Sequence, residues 1–284
     1  MESPSLIATC WTTSGTARPL DASEVASCSP QERVEAVAAG GWAGLGFAHE
    51  DLAAMREGPG FPRVARAARD AGLAHVEVEL ITDWWLGEES WRERWDLLLE
   101  AADAFDSPFI KAGTAFSEPW TDLSGLVGPL RRLAVEAGQR GVRVALEPLP
   151  FSMVGSVPAA ADLVRAVDHP AAALAVDYWH VFRAGTSLDE LTASLTLDLV
   201  AAVELNDADA EPVGTLFEDT RDRRRYCGEG AQDVPGFIRV LEQLGYRGPW
   251  GVEILSDEHR AAPLDEGLAR ARSTTLRCFE AARA

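Results

Sequence analysis

Residues 174–180 read Leu-Ala-Val-Asp-Tyr-Trp-His, and this stretch guides the interpretation of the whole chain. The small apolar run that ends in Asp177 is long enough for one buried strand and too short for a typical helix. A parallel strand reads as such a continuous run when helices cover both faces of its sheet. Asp177 then stands where the strand leaves the core, at the end that carries the reactive side chains in α/β barrels.

Other short apolar segments have the same character, and helical patterns separate them. Strands are predicted at residues 6–10, 42–47, 75–81, 109–111, 142–146, 199–205 and 250–255. Strict alternation of strand and helix, with a repeat of roughly 35 residues, indicates a parallel sheet built from βαβ units. Together with the strand at 174–180, these units predict an α/β fold: a closed (β/α)8 barrel, or TIM barrel, in which residues 1–284 form a single domain.

An open doubly wound sheet is the alternative fold. Such a sheet normally carries a glycine-rich phosphate-binding fingerprint after its first strand. Residues 12–15 read Thr-Thr-Ser-Gly at this place, which is not such a fingerprint. The barrel is therefore favoured.

Composition limits the classes of partner. The net charge of -19 argues against nucleic acid or an anionic membrane, since both need a basic surface. The chain has no apolar run of membrane-spanning length and no signal-peptide pattern at its start. Its 4 cysteines are scattered, as in a reduced, cytoplasmic protein. We expect a cytoplasmic protein with a small-molecule substrate, and the oligomeric state stays open, a homo-oligomer included.

Residues 208–231 form the longest irregular stretch, a loop between the seventh strand and the seventh helix. A loop of this length in a compact domain is usually functional or disordered. It contains the basic run 221–225, whose simplest interpretation is a solvated charge run paired with Glu218, Asp219 and Asp222.

Each of the last four predicted strands presents a carboxylate near its C-terminal end. These residues are Glu147, Asp177, Glu204 and Glu253. In a barrel the four strand ends converge on one mouth, where the carboxylates would repel one another and raise each other's pKa. A bound divalent cation resolves this repulsion, and oxygen ligands suit Mg²⁺ or Mn²⁺. The competing interpretation, that each acid caps a helix or pairs with an arginine, is weaker for four consecutive strands.

Five short motifs follow one another in the second half of the chain. They are Leu146-Glu147-Pro148, Val176-Asp177-Tyr178-Trp179-His180, Glu204-Leu205-Asn206-Asp207, Gly228-Glu229-Gly230 and Gly251-Val252-Glu253. Each motif alone is weak. Their order and spacing resemble those of the xylose isomerase-like barrels, the sugar phosphate isomerase/epimerase superfamily, over essentially the whole chain.

The resemblance implies a metal site and an acid/base pair. In that family a Glu, an Asp, a His and a Glu from strands five to eight hold one divalent metal, which implies Glu147, Asp177 and Glu253 as ligands. The chain departs from the family at Glu204, which stands in the usual histidine position. An all-oxygen site favours Mn²⁺ or Mg²⁺ over Zn²⁺. Family epimerases also use the strand-five and strand-eight glutamates as acid and base, which implies these roles for Glu147 and Glu253.

Several other residues are candidates for the same mouth. The chain's only lysine, Lys111, ends the fourth strand and could act as a base, as an electrostatic partner of the carboxylates, or in an ordinary salt bridge. The substrate-contact candidates are His180, Arg183, His49, Glu79, Trp84 and Arg260. The simpler alternatives are a helix-start histidine at 180 packed against Trp179, and an ion pair of Arg183 with Glu204 or Asp177.

Three functions are compatible with these features. The first is a divalent-metal-dependent isomerase or epimerase of a sugar, keto-sugar or cyclitol, which moves a proton next to a carbonyl through an enediolate. The second is a lyase that dehydrates a keto-cyclitol or dehydroshikimate-like acid on the same scaffold. The third, motivated by Glu204, is a sugar-binding barrel without catalysis. The superfamily's endonuclease branch is disfavoured, because its additional histidine ligands and basic surface are missing.

Overall fold

The strands of the chain close into a parallel barrel in the order in which they occur in the sequence. The structure is a computed structural model, and it describes residues 3–284. Its strands are β1 (Leu6–Ala8), β2 (Gly44–Ala48), β3 (His75–Ile81), β4 (Phe109–Ala112), β5 (Arg143–Leu146), β6 (Ala172–Asp177), β7 (Val200–Leu205) and β8 (Trp250–Val252). β1 pairs with both β2 and β8, which closes the sheet and confirms the predicted TIM barrel over an open sheet.

Helices surround this barrel. They are α1 (Cys10–Thr13), α2 (Pro30–Ala39), α3 (His49–Glu57), α4 (Phe61–Asp70), α5 (Arg92–Phe105), α6 (Ser124–Gly138), α7 (Val157–Val167), α8 (Tyr178–Arg183), α9 (Leu188–Ser194), α10 (Leu216–Asp222), α11 (Val234–Leu244), α12 (Asp257–Ala261) and α13 (Leu264–Arg283). Short 3₁₀ turns occur at Glu88–Ser90 and Leu197–Leu199. Within residues 3–284, no helix combines the length and the apolar character that crossing a membrane requires.

Side-chain capping boxes begin three of the helices. At α2 the Ser29 side chain accepts from the Glu32 backbone N–H, and the Glu32 carboxylate accepts from the Ser29 backbone N–H. This capping box satisfies two N–H groups that the first turn of a helix would otherwise leave without a partner. The same device opens α9 at Ser187 and α10 at Thr215.

A layer of three alanines and one phenylalanine lies inside the barrel beneath the site. A cluster separate from the main core consists of Phe109, Ala145, Ala175 and Ala202, on β4 to β7. Side chains two residues apart on a strand point to the same face. Each member of the cluster is therefore followed, two residues later, by a charged residue that points into the barrel mouth: Lys111, Glu147, Asp177 and Glu204. The alanines keep this layer small beneath the charged groups.

The stretch 208–231 is folded, although the sequence predicted an irregular loop. It contains α10, and backbone bridges join Asp207 to Arg225 and Arg223 to Ser256. The second bridge ties the stretch to the segment that follows β8. The stretch therefore lies across one side of the barrel mouth.

Candidate active site

The four predicted carboxylates meet at the barrel mouth. One oxygen from each of Glu147, Asp177, Glu204 and Glu253 lies within 4.8 Å of the others. All four side chains are buried. Asp177 and Glu204 are direct neighbours across β6 and β7. Glu253 lies one residue beyond β8, where its backbone N–H donates to the Leu205 carbonyl at 3.0 Å.

Lys111 lies among these carboxylates. Its Nζ is 2.8 Å from Glu204 Oε1 and 2.7 Å from Glu79 Oε2. The same ammonium is 3.7 Å from Glu147 Oε1 and 3.8 Å from Glu253 Oε1, so it lies at nearly equal distance from the predicted acid/base pair. Burial lowers the pKa of Lys111, but the surrounding carboxylates outweigh burial and hold it well above its usual value. This raised pKa favours a protonated Lys111 that acts as an electrostatic partner of the carboxylates over a general base.

A second buried cation, Arg224, completes the cluster. Its Nη1 lies 2.6 Å from Asp177 Oδ2 and 3.0 Å from Glu253 Oε2. Thr220 Oγ1 accepts from the same guanidinium at 2.8 Å and fixes its plane. The sequence predicted a solvated charge run at 221–225, and for Arg224 this prediction is wrong, because only 1 % of its surface is exposed.

Asp177 is held in place from several directions. It caps α8 by accepting from the backbone N–H groups of Trp179 at 2.7 Å and His180 at 3.3 Å. The Asn206 amide donates to both of its oxygens. Burial raises the pKa of Asp177, but the Arg224 guanidinium beside it outweighs burial and brings the pKa below its usual range. Asp177 therefore stays ionised at neutral pH.

The other three carboxylates hold protons more strongly. Burial, followed by the charge of Glu253, raises the pKa of Glu204 well above its usual value. Burial also raises the pKa of Glu147, and it raises the pKa of Glu253 to about 7 against the opposing effect of Lys111. Neighbouring carboxylates with pKa values driven apart are typical of sites that perform acid/base chemistry.

The carboxylate cluster fits a divalent cation. Glu147 Oε1 and Glu204 Oε2 are buried and have no hydrogen-bond partner among residues 3–284. Lys111 and Arg224 do not neutralise all the carboxylates within reach. Buried carboxylate oxygens without donors suit a hard cation such as Mg²⁺ or Mn²⁺. The residues that would hold it are Glu147, Asp177, Glu204 and Glu253.

A cavity of about 550 Å³ opens above the cluster. Glu147, Glu253 and Lys111 line its floor, together with the predicted substrate-contact residues Glu79 and His180. Aromatic rings line one wall, and they belong to Phe116, Phe151 and Phe217. His49 lies in the lining, as predicted, and Arg94 lies there although the sequence did not single it out. The cavity is large enough for a monosaccharide-sized ligand.

His180 is buried beside the floor carboxylates. Its Nε2 lies 3.9 Å from Glu147 Oε1 and 3.4 Å from Arg224 Nη2. Burial lowers the pKa of His180 to about 3, so the ring is neutral at physiological pH. A neutral imidazole can exchange hydrogen bonds with a substrate without adding charge to the site.

Three predicted substrate-contact residues are absent from the cavity lining within residues 3–284. Trp84 is fully buried, and its Nε1 donates to the Gly113 carbonyl at 2.7 Å. Arg183 pairs with Asp219 at 2.8 Å, and Arg260 pairs with Asp257 at 2.7 Å. These contacts correct the prediction, because each side chain already satisfies its polar group away from the mouth.

Comparison with known proteins places these features in a family. The family model described as "Xylose isomerase-like TIM barrel" matches residues 34–274. A 3-dehydroshikimate dehydratase of Pseudomonas putida is 30% identical over 247 residues, which are 84% of this chain and 38% of the relative. A second, from Pseudomonas aeruginosa, is 32% identical over 82% of this chain and 37% of the relative. The chain thus spans under two fifths of the length of these curated relatives.

Further relatives and solved structures agree on the fold. An inosose isomerase of Halalkalibacterium halodurans is 26% identical over 63% of this chain and 64% of its own length. The structure of a xylose isomerase-like TIM barrel/4-hydroxyphenylpyruvate dioxygenase fusion protein superposes with a TM-score of 0.82 at 24% identity, covering 99% of this chain and 44% of that one. The IOLI protein, solved with a zinc atom, superposes with a TM-score of 0.81 at 17% identity over 98% of both chains. The homologues are enzymes that act on small molecules, and this chain belongs to the xylose isomerase-like TIM barrel family.

Proposed function

We propose that this protein is a lyase that removes water from a cyclic, polyhydroxylated keto acid of the 3-dehydroshikimate type. The observation that carries the proposal is the pair Glu147 and Glu253, which line the cavity floor and lie 3.7 and 3.8 Å from the Lys111 ammonium. Two carboxylates in one pocket can supply a base for a C–H proton and an acid for a leaving hydroxyl. The two dehydratase relatives, each matching more than four fifths of this chain, favour dehydration.

The reaction needs one base and one acid. Glu253 takes the proton from the carbon next to the carbonyl, and the electron pair moves into the enolate. The β-hydroxyl then leaves with a proton from Glu147, so that one water is lost and the ring gains a double bond. Glu147, Asp177, Glu204 and Glu253 would hold a divalent cation, which when bound would supply Lewis-acid polarisation of the carbonyl. The all-oxygen ligand set supports Mn²⁺ or Mg²⁺.

Lys111 and Arg224 support the same chemistry through fixed charge. Both cations are buried and held in fixed positions by their carboxylate partners. They can therefore stabilise negative charge that develops on the substrate oxygen without moving or losing bound water. Arg224 Nη1 lies 3.0 Å from Glu253 Oε2. The other oxygen of this carboxylate, Oε1, lies 3.8 Å from Lys111 Nζ. The two cations therefore orient the proposed base.

Arg94 supports an acidic substrate over a neutral one. It lines the cavity, and its Nη1 donates to Thr82 Oγ1 at 2.6 Å. The other two cations of the lining, Lys111 and Arg224, are paired with carboxylates. Arg94 has no carboxylate within 4.0 Å among residues 3–284, so it is the cation that remains for a substrate carboxylate. Such a contact adds binding energy and selects against neutral cyclitols.

The isomerase or epimerase remains the second candidate. The inosose isomerase relative favours it, and it begins with the same proton abstraction. In that case the proton returns to carbon and no water is lost. A barrel that binds sugars without catalysis is the third candidate.

The test uses purified protein with added Mn²⁺, offered 3-dehydroshikimate and, separately, an inosose in D₂O. We expect the keto acid to lose one water and give an aromatic dihydroxy acid, detected by its mass and by absorbance at longer wavelengths than that of the already conjugated substrate. Deuterium uptake by the inosose without loss of water would instead support the isomerase. Binding without turnover of either compound would support the non-catalytic barrel. For the keto acid, Arg94→Gln is expected to raise KM more than it lowers kcat.

A further inference from the structure

The peptides on either side of Glu253 are held by one buried threonine. Thr12 Oγ1 donates to the Val252 carbonyl at 2.8 Å and accepts from the Ile254 backbone N–H at 2.8 Å. Thr12 is 1 % exposed and belongs to α1, directly after β1. The pairing of β8 with β1 ends at Val252, one residue before Glu253. On the β1 side, the two hydrogen bonds of the Thr12 hydroxyl thus take the place of the backbone hydrogen bonds of the sheet.

A second threonine on the same segment reaches the carboxylate itself. Thr9 Oγ1 lies 3.4 Å from Glu253 Oε1 and 3.2 Å from the Val252 carbonyl. Its backbone N–H also donates to the Val252 carbonyl at 3.3 Å. The β1–α1 segment therefore contacts both the backbone and the side chain of the residue proposed as base.

The position of Thr12 is fixed in turn by a buried histidine. His259 Nε2 lies 2.9 Å from the Thr12 carbonyl, and Tyr226 Oη lies 2.9 Å from His259 Nδ1. A carbonyl only accepts, so His259 Nε2 must carry the proton that is donated. Nδ1 of a neutral ring then accepts from the tyrosine hydroxyl. The hydrogen bonds run in one direction, from Tyr226 through His259 to Thr12.

We propose that Tyr226, His259 and Thr12 form a positioning relay that fixes the orientation of Glu253 in the site. The proposal rests on the proposed role of Glu253 as base and metal ligand. None of the three side chains touches the cavity floor, so each acts through the peptides beside Glu253. The relay also joins two parts of the mouth, because Tyr226 follows Arg224 by two residues and Arg224 contacts Glu253 directly.

Two substitutions of Thr12 separate the effect of its hydroxyl from the effect of its shape. Thr12→Val keeps the shape and removes the hydroxyl, and Thr12→Ser keeps the hydroxyl. Changing residues that orient a metal ligand typically costs about 10–100-fold in metal affinity or activity. We expect Thr12→Val to lower kcat and Mn²⁺ affinity within that range with little change in KM. Thr12→Ser should fall well short of that loss of about 10–100-fold, since it retains both hydrogen bonds.

A matched control separates positioning from general stability. Thr274 is also buried, and its hydroxyl donates within α13 to the Arg270 and Ala271 carbonyls. Thr274→Val therefore removes a buried threonine hydroxyl away from the mouth. It should lower Tm without changing kcat or Mn²⁺ affinity.

Mn²⁺ affinity, measured by calorimetry, needs no substrate, so it tests the relay even if the proposed lyase activity is absent. The relay is overturned if folded Thr12→Val binds Mn²⁺ as tightly as the wild type. Should Thr12→Val fail to fold, Tyr226→Phe carries the test, because it removes only the first donor of the relay. A smaller loss of Mn²⁺ affinity in Tyr226→Phe supports the relay, and wild-type affinity contradicts it.

Discussion

Substitution of Glu253 is the most direct test of the proposed acid/base mechanism. Glu253→Gln keeps the shape of the side chain and one oxygen, and it removes the basic group. A positioned base typically contributes a factor of about 10²–10⁴ in rate, so turnover should fall by that order while the protein folds and binds substrate. Glu147→Gln should behave alike. The double variant should be little worse than either single one, because groups that act as a unit are not additive. Steady-state kinetics with a circular dichroism control measures this, and unchanged turnover in Glu253→Gln would rule out the two-carboxylate mechanism.

Lys111 is expected to stabilise the folded state through its carboxylate partners. Lys111→Met leaves Glu79 and Glu204, both buried and both within 2.8 Å of Nζ, without their cation. Breaking a buried ion pair in this way costs about 3–5 kcal/mol in the free energy of unfolding. Urea unfolding measures the loss. The control is Lys111→Met combined with Glu204→Gln, which removes one of the two orphaned charges and should recover part of the stability. A single variant as stable as the wild type would show that the buried charges compensate in another way.

The acidic residues of the site could be predicted from the sequence, and its arginine could not. Asp177 and Glu204 end apolar runs, and the alternation of a strand forces such residues to the mouth. Arg224 lies in a run of charges outside any strand, where nothing local distinguishes a buried guanidinium from a solvated one. Its burial follows from the tertiary contact with Asp177, which is 47 residues away in the sequence. His259 and Tyr226 escaped prediction for the same reason.

At the level of elements, Asp207 organises the segment that delivers Arg224 to the mouth. Its Oδ2 accepts from the backbone N–H groups of Gly228 at 2.9 Å and Gly230 at 3.0 Å. Its Oδ1 accepts from Ala208 at 2.8 Å and Gln232 at 3.0 Å. A carboxylate has only acceptors, so it suits four donors, and an amide does not.

Asp207→Asn is therefore expected to loosen residues 223–232. One side-chain amide group would face backbone N–H groups, and leaving buried donors unsatisfied costs about 1–3 kcal/mol. Hydrogen exchange in this segment should become faster, and activity should fall because Arg224 loses its fixed position. The control is Asp209→Asn, whose partly exposed pair with Arg225 at 3.0 Å should contribute little. Equal exchange rates in the two variants would contradict the role of Asp207.

The helix next to this segment, α10, begins with a capping box that is recognisable in the sequence. Thr215 and Glu218 are three residues apart and form a capping box at its start. The helix lacks a sustained apolar stripe, because its residues are mostly charged. Strand and helix periodicity located the barrel units, whereas this short polar helix is recognisable from its cap alone.

For the whole molecule, the carboxylate cluster links metal binding to stability. If Glu147, Asp177, Glu204 and Glu253 hold one cation, a ligand at 100 times its Kd stabilises the folded state by about 2.7 kcal/mol. Millimolar Mn²⁺ should then raise Tm relative to protein in EDTA. The variant Glu204→Ala should show a weaker response, because it removes one ligand oxygen. A melting curve that does not change with Mn²⁺ would count against the metal site.

The stability of the molecule should also fall as the pH rises, and Glu77 contributes to this. Glu77 lies on β3, two residues before Glu79, and it is 4 % exposed. Burial, and then the charge of Glu79, raises the pKa of Glu77 from 4.5 to about 8. Between these two values the folded state holds a proton that the unfolded state has lost. The stabilisation is therefore complete below pH 4.5 and is lost as the pH rises to about 8.

Glu77→Gln tests this dependence, because it removes the titrating group and keeps its shape. The free energy of unfolding of the wild type should fall between about pH 7 and 8.5, above the range in which His49 and His180, whose pKa values burial lowers, act with the opposite sign. The slope should be smaller in Glu77→Gln, and the variant should be more stable than the wild type at the upper end, where the wild type buries an ionised carboxylate.

The pKa values of Glu147, Glu204 and Glu253 are also raised, so part of the slope remains in Glu77→Gln. Glu35→Gln, at an exposed position of α2, is the control and should keep the wild-type slope. Parallel pH profiles for Glu77→Gln and the wild type would mean that Glu77 is already ionised in the folded barrel.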